Sequence, residues 1–204
     1  GGGAATTVAA ASWAAPTAPR LRPLLHHLPH LGMWTKLRPN VHDFLRGAAE
    51  GFELYVYTMG AKRYAEEMVK LIDADGTLGL RGADRVIGKE DSTHGHTKSL
   101  DVVLGSGDTC LILDDSPTVW PRHEEQLLVP RRYHFFASSA ARDHTLPPGS
   151  AGEKGYFTSG DDERDAEGLL SLLRAFREIH KHFFAQIGAG GGAGGAAPPE
   201  HVKG

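Results

Sequence analysis

The chain has 204 residues, with 22 Lys plus Arg against 25 Asp plus Glu for a formal charge of −3, and one cysteine. That length fills one well-buried domain with tails. It carries no basic block of the kind that marks a nucleic-acid binder and no apolar run near the roughly 18 residues of a membrane span, and the lone Cys110 excludes an internal disulfide and suits a reducing compartment.

Residues 1–19 are almost entirely Gly, Ala, Thr and Pro, and residues 188–199 are Gly, Ala and Pro only, so neither stretch buries enough apolar side chain to order itself. Residues 1–30 are therefore expected to be a low-complexity segment, 31–186 the folded α/β domain and 187–204 a Gly/Ala-rich linker. The opening residues lack the charged-then-apolar layout of a secretory signal. Leu21 to His30 holds His26, His27 and His30 among leucines, and Pro23 and Pro29 would break a helix there, which predicts a loosely ordered connector.

Val41, Phe44, Leu45 and Ala48 form an i, i+3, i+4, i+7 stripe with Pro39 before it and Gly51 after it, which predicts a short amphipathic helix. Phe52 to Gly60 is rich in aromatic and β-branched residues, and Ala61 to Ile72 repeats a helical stripe, giving strand, turn and helix. The turn offers the Thr58 hydroxyl and the amides of Met59 and Gly60 to a phosphate at a helix N-terminus, although a Thr that ends a strand and caps a helix is the commoner arrangement.

Asp73-Ala74-Asp75-Gly76-Thr77 spells the nucleophile motif of aspartate-based phosphatases. Here it closes an amphipathic helix instead of following an apolar strand, and it comes after the strand bearing Thr58, so it reads as an ordinary Asp/Gly turn. Arg85-Val86-Ile87 predicts a short strand, and Asp91 to Lys98, with His94 and His96, a solvated loop. Lys98 stands sixteen residues before the Asp114-Asp115 pair in a strand–loop–strand setting, and can reach the same pocket as a point charge for phosphate.

Thr109-Cys110-Leu111-Ile112-Leu113 reads as a buried strand that delivers Asp114 and Asp115 at its C-terminal end, where open α/β sheets place their sites. Two adjacent carboxylates need a counter-charge, and magnesium is the simplest one. The same residues also suit an acidic Asp-Asp-Ser-Pro turn without function. Leu127 to Val129 and Tyr133 to Ala137 predict one or two more strands, Ala140 to Phe157 a mobile loop. The last helix opens on Asp161 to Asp165 and keeps Leu169, Leu172, Leu173, Phe176, Ile179, His180 and Phe183 on one face to dock on the sheet.

Met33 to Pro39, Tyr55 to Gly60, Asp84 to Ile87, Lys98 to Leu104, Leu111 to Pro117 with Val119-Trp120-Pro121, and Arg132 to Ser139 together resemble the phosphatase domain that acts on the C-terminal heptad repeats of RNA polymerase II, the branch associated with transcription factor IIF in the haloacid-dehalogenase superfamily. The resemblance implies a haloacid-dehalogenase-like fold with a mostly parallel central sheet flanked by helices. It implies Thr58 and Lys98 as phosphate-binding residues, joined by Met59 and Gly60, and Thr58, Lys98 and Asp114 as catalytic residues. Asp115 would be the magnesium ligand with Asp114 beside it, paired with Lys98. The substrate would be the phosphorylated heptad repeats, with general transcription factors as further partners and the nucleus as location.

In the family, an aspartate attacks phosphorus to give an aspartyl-phosphate, and a second aspartate two residues on acts as general acid. Those aspartates belong to an apolar Asp-Leu-Asp-x-Thr strand upstream of Met33, and residues 1–32 contain no Asp or Glu. The first catalytic strand is thus expected to be missing from these residues. Two readings follow: an incomplete magnesium-dependent serine phosphatase, or a catalytically inactive phosphopeptide-binding module of the transcription apparatus.

Overall fold

A computed structural model describes residues 24–103, 109–140, 142 and 166–190. The chain divides into two units, Gly1–Leu37 and Arg38–Gly204. In the first, β1 (Leu25–Leu28) pairs antiparallel with β2 (Met33–Lys36) around Gly32, whose φ of +63° suits a residue without Cβ. Within the connector expected over Leu21 to His30, Leu25–Leu28 is therefore one strand of a hairpin. Pro29 sits in its turn, where a missing N–H costs nothing, and His27 stacks on Trp34 across the strands at 4.5 Å between ring centroids.

The second unit begins with α1 (Val41–Ala49), entered through Asn40 in the left-handed region, and continues to β3 (Val56–Tyr57) and α2 (Lys62–Ile72). No side chain at Ala61 caps α2. The Glu90 carboxylate does so from the loop after β4 (Val86–Ile87), accepting the Lys62 amide at 2.7 Å. Lys62 Nζ also meets Asp91 at 2.9 Å, and an added Cβ at Gly88 would lie 2.5 Å from Lys62 Cα, so β4 and the start of α2 touch backbone to backbone. Asp91, accepting the Gly88 amide and facing Lys62, is held below the usual carboxylate range.

β3 and β4 pair in parallel (Val56↔Val86, Tyr57↔Ile87), as do β5 (Ile112–Leu113) and β6 (Leu127–Leu128; Ile112↔Leu127, Leu113↔Leu128). The parallel sheet is thus present as two separate pairs, with no strand bonded between them among the described residues. Leu100–Val102, just after Lys98, is a 3-10 turn. Ser99 Oγ accepts the Asp101 amide and the Leu100 amide donates to His123, which draws the backbone away from a ladder. Tyr133 to Ala137 forms no strand either; α3 (Ala137–Ala140) starts there. The loop expected over Ala140 to Phe157 lies almost wholly outside the described residues, as does the Asp161 to Asp165 opening of the last helix.

Alternation along β5 sets the layers. Leu111 and Leu113, with Leu128, join Phe44 and Ala48 of α1 and Leu169, Leu173 and Phe176 of α4 (Ala166–Gly190) in one cluster, while Ile112 turns to Leu100 and Trp120 on the other side. A third cluster packs Ala65 and Val69 of α2 on Val86 and Leu80. Each large apolar side chain buried this way contributes about 1.5–3 kcal/mol. Half-burial in that β5 layer pushes the Cys110 thiol up, in keeping with a packing role. The α4 face does not dock to its end as expected: Phe183 is 38% exposed and Phe184 and Ile187 are both 55% exposed.

Candidate functional site

Strands β3 and β5 end side by side at one residue, Lys98. Its ammonium donates to the Tyr57 carbonyl at 3.1 Å and to Asp114 Oδ2 at 2.5 Å, and both charged side chains are only 10% exposed. The rings of Tyr57 and Trp120 stand 5.4 and 5.5 Å from the same nitrogen and meet each other edge-on. Trp120 also donates its indole N–H to Asp114 Oδ2 at 3.0 Å, and the Ser116 amide donates to Oδ1 at 2.8 Å. Burial alone would push the Asp114 carboxyl up. Lys98, Trp120 and the Ser116 amide outweigh it and hold the group below the usual carboxylate range, so Asp114 stays ionised and already supplied with donors.

Asp115 points the other way, as alternation after a strand requires, and is 46% exposed. Ser116 Oγ donates to its Oδ1 at 3.3 Å, and Arg132 Nε lies 3.6 Å from Oδ2. Arg132 Nη2 donates to Ser116 Oγ at 3.0 Å and to the Asp115 carbonyl at 3.3 Å.

Thr58 follows Tyr57, so it lies one residue from the Lys98 contact; its amide extends the β3–β4 ladder to the Ile87 carbonyl. The Gly60 amide donates to Thr58 Oγ1 at 3.0 Å, and the Gly60 carbonyl accepts from Lys89. That amide closes its own turn. The Thr58 oxygen accepts there, which leaves its O–H to donate. Lys98 and Asp114 meet as their spacing suggested. Trp120 and Arg132 were not read as site residues; a Trp six positions after an Asp, across a Pro turn, was the available signal for the first.

Asp73 is 1% exposed at the end of α2, and its carboxylate accepts the amides of Leu78 and Leu80 at 3.0 Å each. Asp75 accepts from the hydroxyl and amide of Thr77, which keeps its carboxyl below the usual range. The Asp-x-Asp-Gly-Thr motif is therefore a self-contained loop.

Strands β3 and β5, through Tyr55 to Tyr57 and Cys110 to Asp114, both line an open apolar cavity of about 790 Å³, walled on another side by Phe176, Phe183 and Ile187 of α4. The donor chemistry of the carboxylates tests the magnesium expectation. Mg²⁺ wants six oxygens near octahedral geometry. Asp114 has its donors, Asp115 faces a guanidinium, and among the described residues no group of three His, Cys, Asp or Glu forms. These residues do not make up a magnesium site by themselves.

The model of the NLI interacting factor-like phosphatases matches residues 12–149. RNA polymerase II C-terminal domain phosphatase-like 4 of Arabidopsis thaliana is 42% identical over 165 residues, which cover 80% of this chain and 35% of that protein. RNA polymerase II C-terminal domain phosphatase-like 3 of the same organism is 39% identical over 76% of this chain and 13% of its own length. The chain thus spans about a third or less of these curated relatives. Among solved structures, that of Fcp1, described as an essential RNA polymerase II CTD phosphatase, aligns with a TM-score of 0.57 at 24% identity over 75% of this chain and 48% of that one. The likeness shows the fold, which is α/β and haloacid-dehalogenase-like.

Proposed function

The chain belongs to the NLI interacting factor-like phosphatase family, and from that premise we propose that it acts on phosphoserine in the C-terminal heptad repeats of RNA polymerase II. The observation that carries this reading is the Lys98–Asp114 pair, held under Trp120 at the C-terminal ends of β3 and β5. Lys98 supplies a fixed positive charge for the phosphoryl oxygens, Thr58 an O–H donor beside it, and Asp114 holds the ammonium in place. The proposal includes a nuclear location, general transcription factors as neighbours, and magnesium as cofactor of a completed site.

Hydrolysis through an aspartyl-phosphate needs a carboxylate free to attack phosphorus, while the departing serine oxygen takes a proton and water later cleaves the acyl-phosphate. Asp114 and Asp115 are both engaged by cations. In the proposed reaction the attacking carboxylate therefore comes from a further strand, and the apolar cavity that β3 and β5 both line, with no strand bonded between their two pairs among the described residues, supports that placement. The second reading, a module that binds phosphopeptide without turnover, is favoured by the same engagement of both carboxylates.

One experiment separates them. Residues 1–204, alone and extended by a strand carrying Asp-Leu-Asp-x-Thr, are given a phosphoserine heptad peptide with magnesium, and peptide anisotropy and phosphate release are followed. Phosphate monoesters need up to about 10²¹-fold acceleration, and one oxyanion contact supplies about 10²- to 10³-fold. The 204 residues should bind the phosphopeptide over its unphosphorylated form without turnover, and the extended chain should release phosphate. Equal affinity for both peptides would sink both readings; binding without turnover in the extended chain would leave the second.

A further inference from the structure

We infer that Arg132 is a positioning residue for the Asp115 carboxylate, and that its guanidinium is the resident counter-charge which a divalent cation must displace to reach that carboxylate. The inference rests on the proposed function only in taking the Asp114-Asp115 turn as part of the site. Adjacent carboxylates at a strand end repel unless each has its own positive partner. Asp114 has Lys98 on the inner side of the turn. Asp115, on the outer side, has Arg132.

The arrangement is built by the backbone. The parallel register Leu113↔Leu128 brings the C-terminal ends of β5 and β6 together, so the segment leaving β6 passes the turn leaving β5. Arg132 then touches that turn at three places: the Asp115 carbonyl, Ser116 Oγ and the Asp115 carboxylate. Ser116 Oγ, which accepts from Arg132, donates to the other oxygen of Asp115, so one side chain sets both the turn and the carboxylate's orientation. Arg132 is 30% and Asp115 46% exposed, so a solvated cation can approach and compete.

The test needs no peptide. Mn²⁺ is titrated into residues 1–204 at low salt, and the free ion is followed by electron paramagnetic resonance. A unit charge about 4 Å from the carboxylate in a water-like dielectric is worth about fivefold in cation affinity. Arg132→Ala should therefore bind Mn²⁺ about fivefold more tightly than the unaltered chain, and Arg132→Lys, which keeps the charge, should stay near it. The gain should vanish when Asp115→Asn is added and shrink as salt is raised. Equal or weaker binding by Arg132→Ala, or a gain that survives Asp115→Asn, overturns the inference. Should Arg132→Ala melt below the working temperature, Arg132→Gln makes the same comparison, with the same gain expected and its absence equally decisive. A chain that follows this pattern yet does not discriminate phosphopeptide would sink the proposed function and leave the role of Arg132 standing.

Discussion

Of the turn at residues 73–77 that closes α2 and the turn at residues 114–116 that follows β5, only the second pairs its carboxylates with cations among the described residues. Asp73-Ala74-Asp75-Gly76-Thr77 carries the more suggestive sequence, yet both oxygens of Asp73 accept backbone amides from its own loop, and Arg81 bonds only to carbonyls of that loop, those of Asp73 and Ala74. Asp114-Asp115-Ser116 is plainer. Its carboxylates meet Lys98 and Arg132, side chains that arrive from sixteen residues before and seventeen after. A carboxylate's partners, rather than the letters around it, separate a loop staple from a site: local amides fix a turn, whereas distant cations cost conformational entropy that a mere turn does not require.

The largest effect that would break this comparison is on stability. Asp73→Ala leaves the amides of Leu78 and Leu80 without their acceptor, the second of them at a fully buried residue. Hydrogen bonds to a charged group contribute about 1.5–3 kcal/mol each, so a loss of about 3 kcal/mol is expected. Urea denaturation checks it, and the variant should bind phosphopeptide normally where it remains folded. A stable Asp73→Ala chain that no longer captures phosphopeptide would return the motif to the site.

Next in size is Gly88→Ala. The new Cβ would meet the backbone of Lys62 at 2.5–2.6 Å, which cannot give way like a side-chain tip, and about 2 kcal/mol of destabilisation should follow. The melting temperature reads it. Because Gly88 ties β4 to α2 near the Thr58 turn, phosphopeptide capture should weaken along with stability. In Asp73→Ala the two measurements should part.

The helices were legible because an amphipathic stripe is a local signal: α1 and α2 lie where their apolar spacing puts them. The strand ends were legible as well, since β5 hands its chain to two carboxylates. What the sequence hid is long-range. The hairpin over Leu25 to Lys36 carries three histidines and Pro29, which weaken a strand pattern, and its register comes from a glycine turn. Leu100–Val102 looks like a strand until Ser99 and His123 take its amides. Arg132 could not be assigned to Asp115 without the β5–β6 register, and the apolar face of α4 from Ile179 on could not be told from a docked one.

Lys98→Ala should weaken capture of a phosphoserine heptad peptide by about 1–3 kcal/mol, the range for a hydrogen bond to a charged group. Some stability should be lost too, since Asp114 keeps only the Trp120 and Ser116 donors. Isothermal titration with phosphorylated and unphosphorylated peptide isolates the binding part. Unchanged affinity would remove Lys98 from phosphate recognition and reduce the contrast between the two turns to one of burial.

The smallest effect sharpens the comparison through pH. Lys98, Trp120 and the Ser116 amide together hold the Asp114 carboxyl below its ordinary range against the opposing pull of burial. A carboxyl depressed in the folded state stabilises the fold above its unfolded pKa, and the contribution disappears as pH falls through the lower folded value. Acid should therefore cost the unaltered chain stability that an Asp114→Asn chain has already lost. In urea series from pH 7 downward, the gap between the two midpoints should be constant near neutrality and close below the ordinary carboxylate range. The pair is largely buried, with both side chains 10% exposed, so added salt should change the gap little. Asp91 and Asp101, also depressed, steepen both curves alike and cancel in the difference. Lys98→Ala should remove most of the gap, because the ammonium is the largest of the opposing influences on Asp114. A gap that persists into acid, or one that Lys98→Ala leaves intact, would mean that Asp114 is held by its own turn, as Asp73 is, and the two aspartate turns would then belong to one class.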